Sequence, residues 1–337
     1  MYSKILRGIY FLLFFLLSFD QVFSQEKIAH YIFFNRDRDR IAEKTFLQAK
    51  QVRGAQLKYT WKELEPSQDS YDFSEIEKDL TYLQQHGKEL FIQLQDVSFD
   101  TAILNIPTYL VENPMYHGGV AIQYLTDDDD NIIRQDGYMA RRWDPAVQTR
   151  FYALLDTLGK RFDGRIAGIN LAETAVGFGE KGKLYPEGFT PEIYQKAILS
   201  QMKALKRAFP TSICIQYANF MPGEWLPWDD MGYLEGLYKL AAEQQIGMGG
   251  PDIKIYKKAQ MNHSYKFLKA YAANIPTGMA VQWGNYEEPN PKTGKQVTVE
   301  EIYRFGQGEI GLGIIFWSTQ EPYYSRKLLP FLERLNP

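Results

Sequence analysis

Ile166-Ala167-Gly168-Ile169-Asn170-Leu171-Ala172-Glu173-Thr174-Ala175 is a short apolar run that ends in a carboxylate and passes into a glycine-rich loop. An apolar run of this length, bounded by glycine, suits a strand buried on both faces. The glutamate at its end then stands at the rim of a sheet. It is either a surface residue that stops the strand or an acid held ready for chemistry, and the rest of the chain weighs on that choice.

Upstream of this stretch, His30–Asn35, Gly54–Trp61 and Glu89–Gln95 read as strands. A helix through about Lys50 separates the first two. A second helix is marked by Ser74 and Glu77 as a capping box, by Phe73, Ile76, Leu80 and Leu83 at helical spacing, and by Gly87 as a stop. Downstream, Ser212–Asn219, Ile246–Asp252, Thr277–Gln282 and Leu312–Trp317 read as strands. Helices open at Asp144-Pro145, at Thr190-Pro191 and at the capping box Thr298–Glu301, and others fall near Tyr233–Gln245, His263–Ala273 and Arg326–Leu335. Val147, Phe151, Leu154, Leu158 and Phe162 form one buried helical stripe, and Tyr194, Ile198, Met202, Leu205 and Phe209 another.

Strand and helix alternate eight times with no composition break. That pattern implies parallel strands with crossover helices, and eight repeats suggest closure into an α/β fold, a single (β/α)8 TIM barrel. A doubly wound open sheet is the alternative, but no glycine-rich phosphate fingerprint follows any strand. After the third strand, the segment from Asp96 to Trp143 is too long for a plain connection. Its acidic run Asp127–Asp130 reads as a solvated turn rather than a calcium site.

Lys4 and Arg7 precede an apolar run from Ile9 to Phe19, with small or tolerated residues before a cut near Gln25. This is the pattern of a secretory signal peptide over residues 1–24, leaving 25–337 as the barrel domain in a secreted or periplasmic location. The alternative is a retained anchor, for which the run is short, and no integral membrane segment is expected after cleavage. Cys214 is the single cysteine, so export is inferred from the leader and not from disulfides. A formal charge of −3 and pI of about 5.9 argue against nucleic acid as a partner.

In a barrel, active sites gather where strands end. Those ends present Asn35, Trp61, Asp96, Glu173, Tyr217, Asn219, Asp252, Gln282 with Trp283, and Trp317. These are carboxylates, amides and aromatics. No His and Cys cluster has metal-ligand spacing, so no metal or cofactor is expected. Carboxylates among aromatics suit cleavage of a sugar chain: rings stack on pyranose faces, polar groups bind hydroxyls, and a protonated carboxyl donates to the leaving oxygen. Trp225 and Trp228, after the fifth strand, either pack their loop or form a sugar platform. Glu65 reads as a structural acid, and His117 and His263 as hydrogen-bonded loop or helix residues.

Trp61-Lys62-Glu63-Leu64-Glu65-Pro66 followed by Tyr71-Asp72-Phe73, with Gly87–Gln95 and Trp317, resembles the retaining glycoside hydrolases of clan A, which are (β/α)8 barrels. The resemblance implies an oligo- or polysaccharide substrate, Glu173 as acid/base at the end of the fourth strand, and Trp317 beneath the sugar. It also implies Asn before the acid and a second Glu ending the seventh strand. Here those positions hold Ala172 and Gln282. Gln cannot form the glycosyl ester. Three explanations stay open: Glu287 or Glu288 swings in; Asp252 or Glu287 activates a water in an inverting reaction; or the protein is a non-catalytic carbohydrate-binding barrel.

Overall fold

A computed structural model describes residues 28–335 with the exception of Arg36. The leader expected over residues 1–24 therefore lies outside the described residues. Eight parallel strands close into a barrel in chain order. They are β1 (Ala29–Asn35), β2 (Val52–Thr60), β3 (Glu89–Gln95), β4 (Gly168–Leu171), β5 (Ile213–Tyr217), β6 (Gly247–Gly250), β7 (Thr277–Val281) and β8 (Ile314–Ser318). Pairing of β8 with β1, with Ile32 opposite Trp317, completes the ring and excludes the open sheet.

The strands are short because each must present only a few residues to a packed interior. Tyr31, Phe91, Ile215 and Phe316 point inward and form a buried cluster, in which Phe91 meets Phe316 edge-on at 4.8 Å between ring centres. Glycine makes room for these rings. A Cβ on Gly168 would approach the Phe91 ring to 2.5 Å, and one on Gly278 would approach Ile215 to 2.7 Å. Nearer the carboxyl ends the interior turns polar, with Lys58 opposite Gln93 and Gln93 opposite Asn170.

The outer layer is built as the periodicity predicts. Helices Pro145–Phe162 and Pro191–Ala208 bury their apolar stripes. Asp144 accepts from the amides of Ala146 and Val147, and Thr190 from that of Ile193. The Thr298–Glu301 capping box forms, opening helix Val299–Gly308. The box expected at Ser74 does not. Phe73 takes the cap position of helix Ser74–Gln85, the Asp72 carboxylate accepts from the Ser74 amide, and Glu77 is drawn away to Arg161 and Arg165. Between β1 and β2 the expected helix is split at Glu43 into a 3-10 turn, Arg38–Ala42, and a short helix, Lys44–Gln48.

The long loop expected after β3 has a structure of its own. Strands Val97–Ser98, Val120–Thr126 and Ile132–Ala140 form an antiparallel sheet with Ile132–Ala140 in the centre. Irregularities at Gln123/Tyr124 and Leu125/Thr126 break the two-residue alternation, which hid the hairpin from a periodicity reading. Asp127, Asp128 and Asp129 are exposed at its turn, but Asp130 is buried. Its carboxylate accepts from the amides of Glu180, Lys181 and Lys183, tying the hairpin to the loop after β4.

Candidate active site

A cavity of about 370 Å³ opens at the carboxyl ends of the strands. Asn35, Glu173, Tyr217 and Gln282 line it, joined by Lys58, Gln93 and Gln95 from the barrel interior and by Phe99 and Asp100 from the segment after β3. Asn35 ends β1 with φ of 53°, a strained conformation for a residue with a side chain. The Asn35 Oδ1 and Gln93 Oε1 atoms are buried with no hydrogen-bond partner among the described residues. Buried acceptors left open in a cavity suit a ligand rich in hydroxyl donors. Tyr217 is fixed beneath them, its hydroxyl accepting from Gln56 Nε2 at 3.1 Å while the same nitrogen donates to Asn170 Oδ1 at 2.8 Å.

Glu173 follows β4 by two residues, and its backbone is anchored from behind. Arg142 Nη1 donates to the Glu173 carbonyl at 2.7 Å and to the Tyr194 hydroxyl at 3.0 Å. The other face of that guanidinium makes a two-pronged pair with Asp96, at 2.6 and 2.8 Å, and both side chains are buried. A paired, buried fork of this kind holds one geometry. At the carboxylate itself, Asn219 Nδ2 donates to Glu173 Oε2 at 2.5 Å. Burial pushes the Glu173 carboxyl up to about 7; the Asn219 bond opposes this, the Asp252 charge adds to it, and Arg142 and Lys254 oppose it. A carboxyl held near 7 is protonated in a useful fraction at neutral pH and can serve as a general acid.

Asp252 stands just past β6. Burial raises its pKa, Lys254 and an Asn285 hydrogen bond of 3.2 Å lower it, and Glu288 raises it. Lys254 also pairs with Glu288 at 3.1 Å. Glu287 is exposed on the loop after β7 and accepts from Gln320 Nε2 at 2.7 Å. Asp252, Arg142 and Lys254 are the charged groups that bear most on Glu173, whereas Glu287 is engaged by Gln320.

Several positions predicted from strand ends lie away from the cavity. Trp317 is fully buried between the barrel and its helices, its indole donating to His30 Nδ1 at 3.1 Å. It follows the inward Phe316, so strand alternation turns it outward. Trp61 is also fully buried; it donates to Glu65 Oε2 at 2.8 Å and packs edge-on against Phe151. Asp96 is committed to Arg142 and reaches the site only through it. Trp283 is 65% exposed on the loop after β7 and does not line the cavity. Glu65 is buried and anchors its loop through Arg150 and the Asp69 amide. His117 bonds Asp144, and His263 bonds the Leu226 amide and the Ala259 carbonyl.

Lys58, Gln93 and Arg142 were not foreseen as site residues. The first two carried a signal: Gln56 and Lys58, like Phe91, Gln93 and Gln95, occupy alternate positions that face one way. Arg142 sits beyond the irregular sheet, where no periodicity pointed to it.

No family model matches the sequence, and no match is found among curated proteins. Solved structures do match. A family 39 glycoside hydrolase from Bacteroides cellulosilyticus WH2 aligns over 87% of this chain and 56% of its own, at 11% identity and a TM-score of 0.50. A cold-adapted β-galactosidase from Rahnella sp. R3 aligns over 87% of this chain and 50% of its own, at 10% identity and a TM-score of 0.50. Xylanase XynB from Paenibacillus barcinonensis covers 86% of this chain and 84% of its own, at 12% identity and a TM-score of 0.48. The chain spans about half the length of the first two. In its fold, this chain resembles the clan A glycoside hydrolases.

Proposed function

We propose that this protein is an exported glycoside hydrolase acting on an oligo- or polysaccharide, with Glu173 as general acid. The observation that carries the reading is a carboxyl raised to about 7 at a barrel-mouth cavity lined by open amide acceptors. Gln282 lines that cavity where the resemblance expects a nucleophilic carboxylate, so a covalent ester has no anchor there. Asp252 is the carboxylate whose charge bears on Glu173, and it takes the role of base. Glu173 gives its proton to the glycosidic oxygen as the bond from that oxygen to the anomeric carbon breaks. Asp252 takes a proton from the water that attacks the same carbon from the opposite face, and the product hemiacetal has inverted configuration. Export rests on the N-terminal leader pattern alone.

The test is release of reducing ends from a panel of polysaccharides by the purified protein. Glu173→Gln and Asp252→Asn should each remove hydrolysis while the circular dichroism spectrum is retained. Hydrolysis that survives Glu173→Gln rules out that residue as the acid. Gln282 also favours a second reading, a barrel that binds saccharides without cutting them. That reading takes over if the wild-type protein binds members of the panel and cleaves none.

A further inference from the structure

A second cavity, of about 520 Å³, lies between the loop after β4 and the loop after β5. One wall carries Phe220, Trp225 and Met231, and the other Gly179 and Glu180. It adjoins the Glu173 site through a single side chain. Asn219 donates to Glu173 Oε2 and accepts at its Oδ1 from the amides of Ala175 and Phe220, two residues that line this second cavity. Glu173 thus lines the first cavity, while Ala175, two residues further along the chain, lines the second.

Both walls are fixed in the same manner. The buried Glu224 carboxylate accepts from the amides of Met231, Tyr233 and Leu234. Opposite, the buried Asp130 carboxylate accepts from the amides of Glu180, Lys181 and Lys183. Each carboxylate thus holds a loop rigid by three hydrogen bonds to its backbone. The wall from the loop after β5 leaves an apolar surface exposed. Trp225 is 42% exposed and Met231 56%, although Trp225 is itself held in place, stacked at 10° on Phe220 and packed against His263. A wet indole on a preorganised loop serves binding better than stability, because its ordering cost is met before the ligand arrives.

We propose that this cavity receives the sugar on the leaving-group side of the bond to be cut, with Trp225 as its stacking platform, and that the substrate is a saccharide chain extending through both cavities. This rests on the reading of Glu173 as the acid, since a proton donor lies between the sugar retained and the sugar released. The same acid would serve a glycoside with a small leaving group, but such a substrate gives the second cavity nothing to hold.

Calorimetric titration in the Glu173→Gln background tests it, using monosaccharides and di- to pentasaccharides of the xylo-, cello-, manno- and galacto- series. Trp225→Ala should weaken binding of the chains about tenfold and leave monosaccharide binding in place, and Trp225→Phe should restore most of the loss. Unchanged chain affinity in Trp225→Ala, or an equal loss for monosaccharides and chains, overturns the proposal while leaving the Glu173 assignment intact. Hydrolysis surviving Glu173→Gln overturns the acid and with it the assignment of this cavity to the leaving-group side, even where chain binding depends on Trp225. A wild-type protein that binds no member of the series overturns both.

Discussion

Burial holds the Glu173 carboxyl at about 7 against the Asn219 hydrogen bond and the positive charges of Arg142 and Lys254. Desolvation wins because the cavity strips water from the anion more completely than one amide donor replaces it. An acid works only while protonated, so kcat/KM should fall as pH rises through about 7. In Asp252→Glu, which keeps a carboxylate on that side, the alkaline limb should stay near its wild-type position; a profile level through the neutral range contradicts the acid role. Stability follows the same proton. The folded value lies above the ordinary 4.5, so the native state retains a proton that the unfolded chain has released. That contribution is full below about 4.5 and is lost as pH rises through about 7. Glu173→Gln should therefore gain stability relative to wild type above neutrality and show no such gain in acid, as urea titrations at the two extremes will read. Glu173 itself was legible in the sequence as the carboxylate ending an apolar run. The burial of Trp61 and Trp317 is not legible from a strand-end position alone: Trp61 opens the short helix Trp61–Leu64, and alternation sends Phe316 inward and Trp317 out.

Strand β4 shows how an element sets the site. Its four residues are all buried, and Gly168 begins it beside Phe91. A Cβ there would meet the Ile213 carbonyl oxygen and the Phe91 ring, each at 2.5 Å. The neighbouring backbone belongs to β5 and cannot yield without disturbing the ladder from Gly168 to Leu171. Gly168→Ala should cost about 1–3 kcal/mol in denaturant unfolding. A variant as stable as wild type would mean the barrel adjusts more freely than its packing implies. The element order and the helical stripes were legible because both faces of each element carry a strong period. The Ser74 cap was not, because its Glu77 is claimed by Arg161 of another helix and by Arg165 of the turn that follows it, and a capping box is a local pattern blind to such competition. The antiparallel hairpin was hidden for a related reason: its bulges interrupt the alternation.

Taken as a whole, the molecule joins the barrel and the inserted sheet at two buried carboxylates. Asp96 leaves β3 and grips Arg142, which returns from the sheet to hold the Glu173 carbonyl. Asp130 leaves the hairpin turn and grips the loop after β4. The insertion thus supports Glu173 on one side and the wall of the second cavity on the other. None of this could be read from spacing, since each link joins residues far apart in the chain. The barrel, by contrast, followed from eight local alternations and needed no long-range knowledge. This scaffold, with the Asp252 charge contributing, raises the Glu173 carboxyl to about 7. Carbon-13 NMR titration of the Glu173 carboxyl, assigned by its loss in Glu173→Gln, tests it most directly. The midpoint should lie at about 7 in the wild type and lower in Asp252→Asn. A midpoint at the ordinary 4.5 in both proteins would contradict it.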